Sequence, residues 1–305
     1  PALRDAAALC HPPRLAWRVS WESAVSVRLG IIRNLPADEY HADPAVSNTM
    51  LSTLKKSPAH CYALHLDPNR PKREPTAAMF AGTLAHTAIL EPQAFAARYV
   101  VKPEGMSLAS KDGKAWRDAQ TLRIIDAEDH ATAQSQCAAV MRTPALADIL
   151  RSGEAEASVF WIDEATGLRC KARPDWLQWI NPRRVKALDI KTIADLTPEA
   201  VTKAVTNYGY HRQRAHYVNG LRACGLQVDD FGLGFVSGSY PFIACGYLLD
   251  DETVEQGHDE VAELLDLFAL CQRTGKWPAF GEGFQLTGLS KWARRTAEVE
   301  VSFVE

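Results

Sequence analysis

Two short acidic segments contain residue types that could bind a divalent cation and activate water. Asp175 follows a proline, and Asp189 stands two residues before Lys191. In an extended strand, residues i and i+2 point to the same face, so Asp189 and Lys191 project together. Two neighbouring carboxylates repel each other unless a cation lies between them, and Mg²⁺ and Mn²⁺ prefer such hard oxygen ligands. The pattern indicates metal-assisted hydrolysis, with the lysine placed to orient or deprotonate water and to stabilise charge on phosphate.

A plainer interpretation of the same residues is a surface salt bridge. An Asp-x-Lys triplet occurs by chance about once in a chain of this length, and a lone Asp175 is more often a turn or salt-bridge residue. Two carboxylates on adjacent predicted strands, with a proline before the first, are more specific than either alone. Both interpretations stay open on these residues.

The elements that position these residues follow from hydrophobic periodicity. Strands are predicted at 156–162, 168–180, 185–191, 231–237 and 242–249. Helices are predicted from Ser47, Ser57, Thr76 and Thr197, and over 115–125, 128–150, 210–223 and 252–273. Residues 102–114 are predicted to form a mobile loop. The order predicts an α/β (α+β) fold, with a central mixed sheet flanked by helices in a single domain over residues 34–305.

The overall composition is that of an ordinary globular protein. The 305 residues are 47% apolar, 9% aromatic and 23% charged, which excludes collagen-like, low-complexity and wholly disordered chains. The formal charge of −3 argues, taken alone, against a nucleic-acid-binding protein. Positive residues can be local, however, and a bound metal adds positive charge that a residue count misses.

The cysteines, the longest apolar runs and the N-terminal residues indicate the cellular compartment of the protein. The seven cysteines are widely spaced and include no Cys-x-x-Cys pair, which predicts reduced cysteines in a cytoplasmic protein. No apolar run approaches the ~18 residues of a membrane span. Residues 1–33 show no clear periodicity, and we predict a tail of uncertain order there.

Further motifs occur in the order of a known family. They are the stretch from Tyr40 to Tyr62, Gly82 with His86 followed by Leu90-Glu91-Pro92, Gln213 with Tyr217, and Trp277-Pro278. Together with the two acidic segments, these motifs resemble the PD-(D/E)xK nuclease superfamily, in its RecB-like branch, and most closely the RecE-type exonucleases (exodeoxyribonuclease VIII). The resemblance covers residues 35–295 and implies a restriction-endonuclease-like fold.

The resemblance implies a metal site. His86, Asp175, Asp189 and the backbone carbonyl of Ile190 would be ligands of Mg²⁺ or Mn²⁺, with two ions per site, and Lys191 would activate or position the attacking water. Without the resemblance, a histidine on a helix with apolar neighbours is more often a core residue.

Two further residues receive a role in the same way. Gln213 and Tyr217, one helical turn apart, would face the site and help to position the lysine or the DNA, although an ordinary helix pair is the alternative. Cys61 stands alone where some RecB-type relatives carry iron–sulfur ligands, so no iron–sulfur cluster is expected.

The function that the resemblance implies is that of a 5′→3′ exodeoxyribonuclease. Such an enzyme degrades linear double-stranded DNA from its ends and leaves 3′ single strands for recombination by annealing. The family works as a homo-oligomeric ring, usually a tetramer, with a single-strand annealing protein of the RecT type, and a membrane has no part. The alternatives are another RecB/Cas4-like nuclease, single-strand or structure-specific, and a DNA-binding module with a decayed nuclease site.

Basic residues near the acidic segments suggest a path for DNA. In the predicted strand 168–180, the alternation places Arg169, Lys171 and Arg173 on the face of Asp175. Further basic residues are Arg183, Arg184, Lys186, Arg212 and Arg214. A solvated charged face is an equally good interpretation of each residue taken singly.

Overall fold

The computed structural model describes residues 28–71, 74–281 and 283–288. The strands of this part are β1 Gly30–Ile32, β2 Tyr99–Val101, β3 Arg123–Ile125, β4 Glu154–Ala155, β5 Ser158–Ile162, β6 Arg169–Ala172, β7 Trp176–Asn181, β8 Arg184–Ile193, β9 Gln227–Ser237 and β10 Ala244–Tyr247.

The helices surround these strands. They are α1 Ala37–Ala42, α2 Asn48–Lys56, α3 Pro58–Cys61, α4 Ala77–Leu90, α5 Pro92–Arg98, α6 Lys111–Asp118, α7 Ala127–Arg142, α8 Pro144–Leu150, α9 Pro198–Tyr208, α10 Tyr210–Ala223 and α11 Asp251–Thr274, with a π-helical turn at Tyr62–Leu66. Within the described ranges, no helix combines the length and the apolar character that crossing a bilayer requires.

A mixed five-stranded sheet forms the centre of the molecule, in the order β10-β9-β8-β7-β4. β8 and β9 run parallel, whereas β7 pairs with β8, and β10 with β9, in antiparallel fashion. A three-stranded antiparallel sheet has the order β1-β5-β6, and β2 pairs with β3 in parallel. The predicted α/β fold with a central mixed sheet flanked by helices is confirmed.

Apolar side chains cover β8 on both faces. Leu188 and Ile190 pack into a cluster with residues of α4, α7 and α8. Val185 and Ala187 face the larger core, to which α9, α10 and α11 contribute. Burial on both faces is typical of strands in a sheet covered by helices, and it makes β8 the central strand of the molecule.

The predicted strand over 168–180 is wrong as a single element, because the structure contains two strands in different sheets. β6 ends at Ala172 in the three-stranded sheet, and β7 begins at Trp176 in the central sheet. Pro174 lies between them and has no N–H to donate to a ladder. Asp175 therefore lies at the crossover from one sheet to the other, immediately before β7.

Part of the predicted N-terminal tail belongs to the paired structure. Gly30 pairs with Phe160, and Ile32 pairs with Ser158, in the antiparallel ladder of β1 and β5. The strand pairing thus begins before residue 34, and residues 1–27 of the predicted tail lie outside the described residues.

The segment from 102 to 125 differs from the predicted loop and helix. The Ser110 side chain accepts a hydrogen bond from the Gly113 N–H and caps α6, which ends at Asp118. Arg123, Ile124 and Ile125 form β3, whereas the predicted helix extends to residue 125. Side chains branched at Cβ favour a strand, and the parallel pairing with β2 fixes that outcome.

Candidate active site

The candidate site lies where β8 extends past the first residue of β7. Trp176 of β7 pairs with Leu188, the last pair of the β7–β8 ladder. Beyond this pair, the backbone N–H and carbonyl groups of Ile190 bond to side chains instead of to a neighbouring strand. The Ile190 N–H donates to Asp175 Oδ2 at 2.6 Å, and the Ile190 carbonyl oxygen lies 3.0 Å from His86 Nε2. A carboxylate and an imidazole thus take the places that a longer β7 would fill.

The Asp175 carboxylate has a polar neighbour at each oxygen, and one of the two contacts is a hydrogen bond. Oδ2 accepts the Ile190 N–H, and Oδ1 lies 3.6 Å from His86 Nδ1. Burial and then the nearby charge of Asp189 raise the pKa of Asp175 to about 6, because each disfavours the anion. A cation placed between the two carboxylates would oppose both effects.

Asp189 and Lys191 share one face of β8, as the period of the strand predicts. Asp189 is 1% exposed, and its Oδ2 contacts Lys191 Nζ. Burial alone would lower the pKa of Lys191, but Asp189 and Asp175 together outweigh burial and raise it. Lys191 is therefore an ammonium ion, half-buried and paired with a buried carboxylate, unlike the surface salt bridge of the plainer interpretation.

Tyr210 is a residue of this site that the sequence analysis missed. The Lys191 Nζ lies 4.8 Å from the centre of the Tyr210 ring, a distance at which an ammonium ion and an aromatic face attract each other. Tyr210 begins α10 directly after Gly209, whose φ is +67°. The only signal in the sequence is a tyrosine after a glycine between two predicted helices, and this pattern is too common to identify it.

Gln213 and Tyr217 lie one turn apart on α10, and Gln213 Nε2 donates to Tyr217 Oη at 3.2 Å. Burial and then the charges of Asp189, Tyr40 and Asp175 raise the pKa of Tyr217 well above its ordinary value. The neutral phenol is thus within electrostatic reach of both carboxylates. Gln213 contacts the phenol of Tyr217 and donates to it, so the two residues form a helix pair, of which Tyr217 is the member related to the site by charge.

The predicted DNA path along residues 169–173 is wrong, because α1 and neighbouring segments cover the face of β6 that carries these basic side chains. Lys171 is 4% exposed and donates to the carbonyl oxygens of Tyr40 and Asp43 at 2.6 and 2.7 Å. Arg169 pairs with the Asp43 carboxylate at 2.6 Å, and Arg173 Nη2 donates to a serine hydroxyl of β5. These cations hold the N-terminal helix α1 and the loop after it against β6.

The other basic residues of the predicted path have mixed positions: Arg183 is exposed and Arg214 is half-buried, and the remaining three form ion pairs. Arg184 and Lys186 are partly exposed and pair with Asp229 and Asp230 of β9. Arg212 is buried and pairs with a glutamate of α11 at 2.9 Å. Of these three, only Arg184 and Lys186 have solvent-accessible charges.

Oxygen donors for a hard cation converge at the candidate site. The carboxylates of Asp175 and Asp189 are close enough for the charge of Asp189 to raise the pKa of Asp175. The Ile190 carbonyl oxygen accepts a hydrogen bond from His86 Nε2 at 3.0 Å, a contact that a bound cation would have to replace. Within the described ranges, no group of three or more His, Cys, Asp or Glu side chains forms a metal cage. The donor set is a partial shell of the kind that Mg²⁺ completes with water and phosphate oxygens, and in this sense the residues fit the ion.

Cys61 is fully buried in the main core, near Cys271. Burial raises the pKa of the Cys61 thiol to about 12, so the group is a neutral thiol that packs as a small apolar side chain.

Comparison with known proteins places this geometry in a family. A family model described as a PDDEXK-like domain of unknown function (DUF3799) matches residues 47–287. A crystal structure from Eubacterium rectale, described as a "Putative exonuclease", is similar with a TM-score of 0.55 at 15% identity, over 79% of this chain and 87% of that chain. At this identity the similarity shows the fold.

Two further results add no argument. The solved structure of SSO0001 has a TM-score of 0.25 at 16% identity, over 44% of this chain and 64% of that chain. No curated protein sequence matches the chain. The range 47–287 matched by the family model contains the residues of the candidate site.

Proposed function

Because this chain belongs to the PDDEXK-like family DUF3799, we propose that it is a metal-dependent nuclease that hydrolyses phosphodiester bonds. One observation carries the proposal, namely the cluster around Ile190. Asp175 accepts the Ile190 N–H, and His86 contacts the Ile190 carbonyl oxygen. Asp189 and Lys191, on either side of Ile190, form an ion pair. The cluster combines oxygen ligands for a cation with a half-buried ammonium ion. Metal-assisted hydrolysis of a phosphodiester uses both.

The proposed metal ligands are Asp175, Asp189, the Ile190 carbonyl and His86. Bound Mg²⁺ or Mn²⁺ would lower the pKa of a water ligand and neutralise charge on the phosphate and on the leaving oxygen. The Ile190 N–H holds Asp175 in place, so the chain itself fixes the direction of that carboxylate before any ligand arrives. Such preorganisation lowers the cost of reaching the reactive geometry.

Lys191 is proposed to act as a fixed hydrogen-bond donor. Asp189 contacts its ammonium group, and the Tyr210 ring lies below it. The raised pKa keeps the proton on the amine, so this lysine orients the attacking water and stabilises charge on a phosphate oxygen. Gln213 and Tyr217 are proposed to help to position the lysine or the DNA.

The proposed substrate is the end of a double-stranded DNA, degraded in the 5′→3′ direction to leave a 3′ single strand. Support for this polarity comes from the sequence motifs that resemble the RecE-type exonucleases. On the same basis we propose two metal ions per site, a ring-shaped homotetramer, and a RecT-type single-strand annealing protein as the partner.

The decisive experiment is a time course with linear duplex DNA labelled at either end, with and without Mg²⁺. We expect Mg²⁺-dependent release of the 5′ label and no cleavage by Asp189→Ala. Asp230→Ala is the matched control, because it removes a partly exposed carboxylate from the neighbouring strand β9. Equal cleavage by the Asp189→Ala variant and the wild type would remove the proposed mechanism.

The same assay separates the alternative functions. Rapid cutting of a closed circle would exclude a strict exonuclease and favour another RecB/Cas4-like nuclease. A wild-type protein that binds DNA and releases no label with either metal ion would be a DNA-binding module with a decayed site.

A further inference from the structure

An open cleft of about 570 Å³ adjoins the candidate site. Residues 192–195 at the end of β8 form one wall, and α9 with Tyr210 forms the other. Thr192 directly follows Lys191 in β8, so the cleft begins next to the candidate site. Its volume lies in the usual range of small-ligand sites, roughly 300–1,000 Å³.

Two stacked tyrosine rings connect the cleft with the Lys191 ammonium ion. The rings of Tyr208 and Tyr210 are 5.6 Å apart with an interplanar angle of 26°, and Lys191 Nζ lies 4.8 Å from the Tyr210 ring. Tyr210 is half-buried, whereas Tyr208 is 64% exposed. The contacts that run from Lys191 through Tyr210 therefore end at the exposed ring of Tyr208.

The backbone between the two tyrosines fixes this arrangement. Gly209 has a φ of +67° and separates α9 from α10, a conformation that side chains with a Cβ rarely adopt. A Cβ at this position would lie 1.9 Å from the Arg212 guanidinium group, which is itself held by Glu260. The two tyrosines thus flank a turn whose conformation and surroundings require glycine.

Two further polar groups of the cleft, both on α9, suit a nucleotide, whereas Asp195 in the opposite wall adds a negative charge. Lys203 and Asn207 lie one turn apart on α9, and both are exposed in the same wall as Tyr208. An ammonium ion can pair with a phosphate, and an amide can hydrogen-bond to a base edge. Exposed aromatic rings stack with bases of any sequence because every base has a π-face.

We propose that Tyr208 is a stacking platform for a nucleobase of the DNA strand next to the cleaved phosphate, with Lys203 beside the adjacent phosphate. This inference rests on the proposed nuclease function and extends it to a residue outside the metal site. Tyr208 would hold an unpaired base, so the platform favours a strand whose end has been separated from its complement.

The test measures binding without cleavage, in the full chain with Asp189→Asn and in Mg²⁺. The probe is a short single-stranded oligonucleotide with 2-aminopurine placed at each position in turn. We expect fluorescence quenching at one position, lost in Tyr208→Ala and retained in Tyr208→Phe, with binding about tenfold weaker in the alanine variant. An abasic site at that position should weaken binding by Tyr208 proteins and leave Tyr208→Ala unchanged, because the two changes remove one contact.

Phe280→Ala is the matched control, because it removes another exposed ring, one that contacts His60 outside the cleft. Equal quenching and affinity in Tyr208→Ala and its parent would overturn the platform. An oligonucleotide that is bound and quenched by a wild-type protein unable to cleave would overturn the nuclease function and leave the platform intact. Absence of oligonucleotide binding by both the wild type and the Asp189→Asn variant would overturn the platform, and label release from linear duplex DNA decides the nuclease function separately.

Discussion

His216 lies fully buried beside Trp161, with its Nε2 3.1 Å from the Lys171 carbonyl oxygen. Burial is the main cause that lowers the pKa of His216 from 6.5 to about 4, because a buried imidazolium loses its hydration. The neutral ring belongs to the contact between α10 and β6, on the side of the three-stranded sheet.

Protonation of His216 should therefore make folding depend on pH. The folded pKa is below the unfolded one, so the unfolded chain binds the proton first as the pH falls. The contribution to stability is complete above about pH 6.5 and is lost progressively towards pH 4, by up to roughly 3 kcal/mol. We expect the free energy of unfolding in urea, wild type minus His216→Gln, to shrink between pH 7 and pH 4.5.

The unfolding free energy of His216→Gln must be subtracted from that of the wild type, because titration of Asp175 changes stability with pH in the opposite direction. The raised pKa of Asp175 adds stability as the pH falls through about 6, and this effect is common to both proteins. A difference between the two proteins that stays constant from pH 7 to pH 4.5 would contradict the assignment to His216.

At the scale of single residues, strand period and the family motifs predict which side chains belong to the candidate site. Asp189 and Lys191 share a face because of backbone geometry, and His86 was placed with them only by the family resemblance, since 103 positions separate it from Asp189. The sequence does not predict Tyr208 or Tyr210 as residues near the site. Their role depends on a turn that stacks two rings beside a strand far away in the sequence, and local periodicity does not encode such a contact.

Close approach of α10 and α11 gives a prediction at the scale of elements. A Cβ on Gly257 of α11 would lie 2.5 Å from the His211 carbonyl oxygen of α10, whereas a Cβ on Gly82 of α4 would meet nothing within 4 Å. Gly257→Ala should destabilise the fold by about 1–3 kcal/mol, because a backbone oxygen cannot move aside. Gly82→Ala should stabilise it by about 0.5–1 kcal/mol, because alanine is the better helix former.

Urea unfolding of the two variants tests this difference, since each adds one methyl group to a helix. Stabilisation by Gly257→Ala would mean that the two helices separate easily, contrary to their packed interface. Destabilisation by Gly82→Ala would mean that the space beside α4 is filled in solution.

Prediction of elements failed where the surroundings, not the local pattern, decided the outcome. The alternation from 168 to 180 correctly indicated extended chain, but Pro174 divides it between two sheets, and α1 with its following loop covers the face with Lys171. A buried lysine that donates to two carbonyl groups looks, in sequence, like a solvated one. The strands β8 and β9 and the helices α10 and α11 were predicted because their periodicity is long and regular.

At the scale of the whole molecule, the formal charge of −3 is a poor guide to the site. Several cations of the predicted DNA path are used inside the protein, where they hold α1 and α11 in place. The local positive charge beside the two carboxylates comes from Lys191 and would be increased by any bound metal ion. Net charge therefore describes the solubility of this chain better than its substrate.

The central position of β8 has a consequence for how the protein loses activity on heating. Exposing the amides of Asp189 and Lys191 requires β8 to separate from its neighbours, and the strand is packed on both faces. Regions of this kind open only with the whole domain. We expect backbone hydrogen exchange of residues 185–191 to be the slowest in the chain, and nuclease activity to survive until the circular dichroism transition begins. Loss of activity well below that transition would show that a peripheral part fails first; otherwise, thermal inactivation of this protein is a direct measure of its global unfolding.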